Sequence, residues 1–171
     1  MRRHRLVQLS LLATLTISTI GIPAPALADH KSTSSPRGDT VAPIDITHFQ
    51  ATNGKRRVSM RVEVADLKKR GAFQFSYVSP KLYYDGAVIK VRWKKGKFRA
   101  TWAHRTEDRD YAEACAGMKV SWSLKDDFIS VSAPQKCYTT NPVPASWDFG
   151  AFSWSGSDAD YDVPDLRVPR G

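Results

Sequence analysis

The sequence predicts an all-β protein: an antiparallel β-sandwich of about eight strands, held by one disulfide. Three observations carry this. Apolar and polar residues alternate at period two from residue 44 onward. Short turn signals, Asn53-Gly54, Asp85-Gly86 and Lys95-Gly96, punctuate that alternation. No stretch shows the 3.6-residue apolar period of a long amphipathic helix. Many short alternating strands joined by hairpin turns define a sandwich rather than a helical or α/β fold.

The first pair, "IDITHFQAT" and "RRVSMRVEVADL", flanks Asn53-Gly54, the strongest two-residue hairpin signal because both central positions need positive φ. With those two residues in the turn, Phe49 faces Val58, Thr47 faces Met60 and Asp45 faces Val62. "GAFQFSYVS" then alternates Phe73, Phe75 and Tyr77 with polar residues, and Asp85-Gly86 reads as the second turn. The third turn, Lys95-Gly96, pairs Trp93 with Phe98, Val91 with Ala100 and Ile89 with Trp102. Its opposite face pairs Lys94 with Lys97 and Arg92 with Arg99, an arrangement of like charges that costs stability. Residues 105–116 are of mixed charge and read as a short helix or a loop. "GMKVSWSLKDDFISVSAP" is a fourth hairpin around residues 125–127, and "PASWDFGAFSW" a last strand broken at Gly150.

Outside this block the chain changes character. Residues 1–28 carry Arg2, Arg3 and Arg5, then an apolar stretch, then Ala26-Leu27-Ala28. That three-part order is the pattern of a cleaved signal peptide, and it predicts a mature chain beginning at Asp29 and a secreted, extracellular protein with no membrane span after cleavage. Residues 29–43 are rich in Ser, Pro and Gly and read as a flexible leader; the Arg37-Gly38-Asp39 tripeptide in it reads as a turn. The domain itself spans 44–154, and 155–171 reads as an acidic, flexible tail.

The net charge of +9 is unevenly spread. Residues 55–105 hold 15 Lys or Arg against 3 Asp or Glu, whereas residues 141–171 hold 2 against 5. Cys115 and Cys137 are the only two cysteines. In an exported chain they predict a disulfide; they form no CxxC, and the mature chain adds only His30, His48 and His104 as soft ligands for zinc.

The order "DITHFQATNGKRRVSMRVEVADL", an aromatic strand, then "CAGMKVSWSLKDDFISVSAPQKC" behind a signal peptide resembles secreted β-sandwich proteins common in high-GC Gram-positive (actinobacterial) bacteria. The resemblance covers residues 37–140. It implies the same fold and an extracellular setting, and it implies no catalytic residues. The acidic tail departs from the pattern.

No local motif nominates an enzyme: there is no GxSxG, no HExxH and no phosphate-binding glycine loop, and only Glu63, Glu107 and Glu113 are glutamates. The expected function is therefore non-catalytic binding or attachment at a surface. An anionic polymer would sit on Arg92, Lys94, Lys97 and Arg99. A cell-envelope glycan would stack on Tyr83, Tyr84, Trp147 and Trp154, with Phe149 and Phe152 as further candidates and Trp93, Trp102 and Trp122 left to the core. Sequence-specific nucleic-acid reading is not indicated, because no aromatic residue is shown to alternate with the basic ones on an exposed face. No cofactor is required. Asp158, Asp160 and Asp162 offer oxygen ligands at calcium-like spacing, without the glycine and glutamate of an EF-hand loop, and Asp39 with Asp45 forms a second such group. A structural or interaction protein without a small ligand, and a secreted hydrolase lacking any recognisable motif, are the alternatives.

Overall fold

The structure is a computed structural model, and it describes residues 29–81, 85–138, 143–161 and 163–171. It is all-β, with two antiparallel sheets packed as a sandwich. The predicted signal segment, Tyr83, Tyr84 and Asp162 lie outside the described residues.

The first sheet contains β1 (Asp29–Ser34), β2 (Ile46–Asn53), β3 (Arg57–Val64), β8 (Lys119–Ser123) and β9 (Phe128–Pro134), in the order β1-β2-β3-β9-β8. The second contains β4 (Ala72–Val78), β5 (Gly86–Lys94), β6 (Lys97–Arg105), β7 (Asp110–Glu113), β10 (Ser146–Ser155) and β11 (Asp158–Asp160), in the order β11-β10-β4-β5-β6-β7. β12 (Leu166–Pro169) also pairs with β10, sharing its outer edge with β11. The described residues thus form twelve strands in place of the eight or so expected. The additional ones are short and come from segments that lack alternation.

Period-two alternation builds the core directly, because one face of each strand turns inward. Phe49, Val58, Met60, Val62, Ile129 and Val131 from the first sheet are buried together with Phe73, Phe75, Tyr77, Ile89, Val91 and Phe149 from the second. Phe73 meets Trp122 edge-on across the two layers, with centroids 5.4 Å apart.

The β5–β6 hairpin has the predicted register throughout, from Ile89 opposite Trp102 to Lys94 opposite Lys97. Lys95 and Gly96 both have positive φ, as a primed two-residue turn requires. The β2–β3 hairpin does not follow its turn signal. Phe49 lies opposite Val62, Ala51 opposite Met60, and Asn53 opposite Val58 as a paired strand residue. Asn53 is fully buried: its amide nitrogen donates to the Val168 carbonyl at 3.0 Å, and its amide oxygen accepts from Gln135 at 2.8 Å. Those two bonds hold the side chain in the core, so the turn moves past it and closes through the Gly54 amide on the Arg57 carbonyl at 2.9 Å. The slip is an even number of residues, so the apolar face is retained. A register shift between Ile46 and His48 places Thr47 out of the ladder. Likewise Gly86 is not a turn residue but the first residue of β5, opposite Val78; a Cβ there would meet the Tyr77 carbonyl at 2.2 Å.

Four further expectations change. Residues 29–34 are not a loose leader: they form β1, paired along its whole length with β2. Residues 105–116 contain neither helix nor simple loop but the edge strand β7. Gly150 does not break the last strand; β10 runs unbroken for ten residues. The acidic tail is not flexible along its length, since β11 and β12 pair with β10 and bury Val163 and Val168.

Cys115 and Cys137 are bridged, with Cα atoms 5.3 Å apart. The bond ties the link between β7 and β8 to the 3-10 turn Gln135–Cys137 that follows β9. It therefore fastens the crossover from the second sheet to the first. Replacing both cysteines by serine is expected to lower unfolding stability by about 3 kcal/mol, the loop-closure contribution for a loop of this length. Urea denaturation of both forms would show it as a lower midpoint at equal slope; equal midpoints would mean that the bridge constrains nothing.

Candidate functional site

The outward face of the second sheet is where the cationic and aromatic candidates meet. The ladder arranges it in rows that cross the strands. One row runs Trp154, Ala72, Arg92, Arg99 from β10 through β4 and β5 to β6. The next runs Phe152, Gln74, Lys90, Thr101. Lys94 and Lys97 close the face at the hairpin end.

The first row explains a groove. Ala72 is too short to fill the space between its neighbours. Trp154 on one side and side chains of β5 and β6 on the other then wall a hollow of about 280 Å³, lined by Ala72, Lys90, Arg92, Lys94, Arg99, Thr101 and Trp154. The Arg92 guanidinium lies 6.0 Å from the Trp154 ring centroid, within cation–π range. Beside it, Phe152 contacts Trp154 at 5.3 Å and stacks on Tyr161 at 5.5 Å. Tyr161 is 70% exposed, the most open of the large apolar side chains among the described residues. A second hollow of about 340 Å³ follows this aromatic ledge, bounded by Gln74, Lys90, Asp158 and Tyr161 among others.

The charges on this face divide in two. At the far end, Arg105 pairs with Asp110 at 3.0 Å, and Arg167 forms a bidentate pair with Asp148 at 2.7 and 2.9 Å. The hydrogen bonds to Asp148 push the Arg167 pKa up. Nearby, burial and then the Asp148 charge push the Asp165 carboxyl up from its ordinary value. Gly150 makes room for that carboxyl, since a Cβ on it would stand 2.5 Å from Asp165 Oδ1. At the groove end, Lys90 has one long pair with Asp110 at 3.9 Å. Arg92, Lys94, Lys97 and Arg99 are exposed and form no ion pair among the described residues. Among the described residues no carboxylate of the tail pairs with them.

The other basic run differs. Arg57 is spent on the frame of the first sheet, donating to the Ser132 hydroxyl at 2.9 Å and to the Ser132 and Gly117 carbonyls at 2.8 and 3.0 Å. Lys55 and Arg56 remain at the turn, beside Lys136.

Of the aromatic candidates, Trp154 is on the groove, but Trp147 is not on any surface. It is fully buried, edge-on to Tyr138 at 4.4 Å and to Tyr77 at 5.1 Å. The odd-numbered positions at this end of β10 face the core, so parity sends Trp147 inward and Trp154 outward. Phe152 stays beside Trp154 as expected, whereas Phe149 is buried. Sequence reading missed Tyr161, which joins only because β11 folds back. The acidic candidates separate as well. Asp158 is exposed, whereas Asp160 is buried and accepts the Ile46 amide at 2.7 Å.

Models of known protein families and curated protein sequences were both searched, and neither contains a match to this chain. No helix among the described residues is long and apolar enough to cross a membrane.

Proposed function

We propose that this is a secreted, non-catalytic binding protein whose groove between Trp154 and the β5–β6 hairpin holds an anionic polysaccharide of the cell envelope or its surroundings. One observation carries the reading: four exposed cations, without ion-pair partners among the described residues, stand in cross-strand register beside an indole ring and an aromatic ledge. Left without a counter-charge, opposed like charges cost roughly 0.2 to 1 kcal/mol per pair. A polyanion offsets that, while Trp154, Phe152 and Tyr161 offer flat faces to the apolar sides of sugar rings. The disulfide agrees with an oxidising compartment. The resemblance to secreted actinobacterial sandwich proteins points to the same setting.

Chromatography on heparin, with soluble teichoic acid as competitor, tests this. The wild-type protein should be retained at low salt. Arg92→Ser with Arg99→Ser should elute earlier and reduce the slope of log K against log salt by about 2, since fewer counterions are released. Trp154→Ala should weaken glycan binding while leaving that slope unchanged. Elution of the wild type no later than a neutral protein of equal size would refute the reading.

A further inference from the structure

We infer that Asp39, Asp45 and Asp160 form a calcium site that clips the tail strand β11 to the start of β2. The three residues come from distant parts of the chain, yet one carboxylate oxygen from each lies within 4.8 Å of the others. They sit at the turn before β2 and at the end of β11. This is a different place from the groove, and the inference does not depend on the anionic-glycan reading.

Proximity of acids is not by itself a site. The deciding feature is Asp45. Its side chain is 1% exposed, and one of its two oxygens, Oδ2, accepts the Gly38 amide at 2.8 Å. The other, Oδ1, is buried with no hydrogen-bond partner. A buried carboxylate oxygen without a donor is strongly disfavoured unless a cation compensates it. Neither Asp39 nor Asp45 has an ion pair among the described residues. The nearby Arg37 guanidinium turns elsewhere, donating to the Ala65 carbonyl at 3.3 Å.

The local backbone is built to hold this geometry. Gly38 has φ +89°, a left-handed conformation that suits glycine, and its amide is the one that positions Asp45. The Ile46 amide positions Asp160 in the same way at 2.7 Å. Each buried carboxylate thus has one oxygen anchored by a main-chain amide. Asp39 is exposed and closes the set from the solvent side. Only oxygen ligands are on offer, which selects a hard cation. A partly exposed set of three carboxylates, completed by water or carbonyl oxygens, suits the 6–8 coordination and loose geometry of calcium better than the strict octahedron of magnesium. The Arg37-Gly38-Asp39 tripeptide then belongs to a folded metal turn, not to an adhesive loop.

The test uses the whole mature chain, treated with EDTA and then titrated with CaCl2, MgCl2 or TbCl3. At 10 mM CaCl2 the melting temperature should rise by about 3–8 °C over EDTA, the shift that linkage gives for dissociation constants of about 10⁻⁴ to 10⁻³ M. Terbium should show luminescence sensitised through the aromatic residues, and calcium should quench it by displacement. Asp39→Asn alters an exposed residue and should fold normally in EDTA, yet weaken calcium binding at least 10-fold. Asp158→Asn, outside the cluster, should bind as the wild type does. The inference is overturned if neither calcium nor terbium shifts the melt or binds. An equal response to magnesium would overturn the assignment to calcium, and an equal loss in Asp158→Asn would overturn the assignment to this trio.

Discussion

A chain that stops after Gly156 is expected to be largely unfolded at 37 °C. The deletion removes β11 and β12, and with them Val168 and Val163, both buried. Burying a valine side chain contributes about 1.5–3 kcal/mol, so the two together account for about 3–6 kcal/mol. The deletion also removes the Val168 carbonyl that satisfies the buried Asn53 amide, and the Asp160 carboxylate that satisfies the Ile46 amide. Leaving such buried donors unpaired costs about 1–3 kcal/mol each. Set against a total stability of about 5–15 kcal/mol for a domain, that loss is most of what holds the fold. Circular dichroism with thermal melting would detect it. A truncated chain that melts within a few degrees of the full one would show that the tail is only an appendage.

Trp147→Ala is expected to cost about 3–5 kcal/mol, as large aromatic truncations in well-packed cores do. Its ring makes edge contacts to Tyr77 and Tyr138, so the cavity would open at the middle of the aromatic cluster. Trp154→Ala should cost under about 1 kcal/mol, because that ring is already partly in water. The pair distinguishes a core role from a binding role: the first variant should lose stability and the second should lose ligand. Urea titration of both, beside glycan binding of Trp154→Ala, measures this. Equal stability losses would contradict the inward and outward parity of β10.

What the sequence made legible was the local pattern. Alternation found the core strands, and Lys95-Gly96 gave its hairpin in full register because nothing in the core competes for either side chain. Asn53-Gly54 carried a stronger turn signal and misled, since Val168 and Gln135 claim the Asn53 amide from more than eighty residues away. The same distance hides the tail: "SDADYDVPDLRV" has no alternation to read, and its strands exist because β10 has a free edge to offer. The cationic half of the groove was visible as a pair of facing charges within one hairpin. Its aromatic half was visible only as separate candidates, because Trp154 and Arg92 become neighbours only across β4. Asp39 with Asp45, and Asp160 with its neighbours, appeared as two separate acidic groups; only the folding of β11 onto β10 joins them.

The pairing of β3 with β9, and of β4 with β10, has a kinetic meaning. Each sheet is stitched through its middle by a contact between segments some seventy residues apart, and β12, the last strand in sequence, pairs with β10. Little of this can form while the chain is still emerging, since the loop-closure entropy of such long-range pairings must be met before any of them is rewarded. Refolding should accordingly run in milliseconds to seconds rather than microseconds. A nascent chain with this topology lacks the middle of both sheets until residues 128–154 are available.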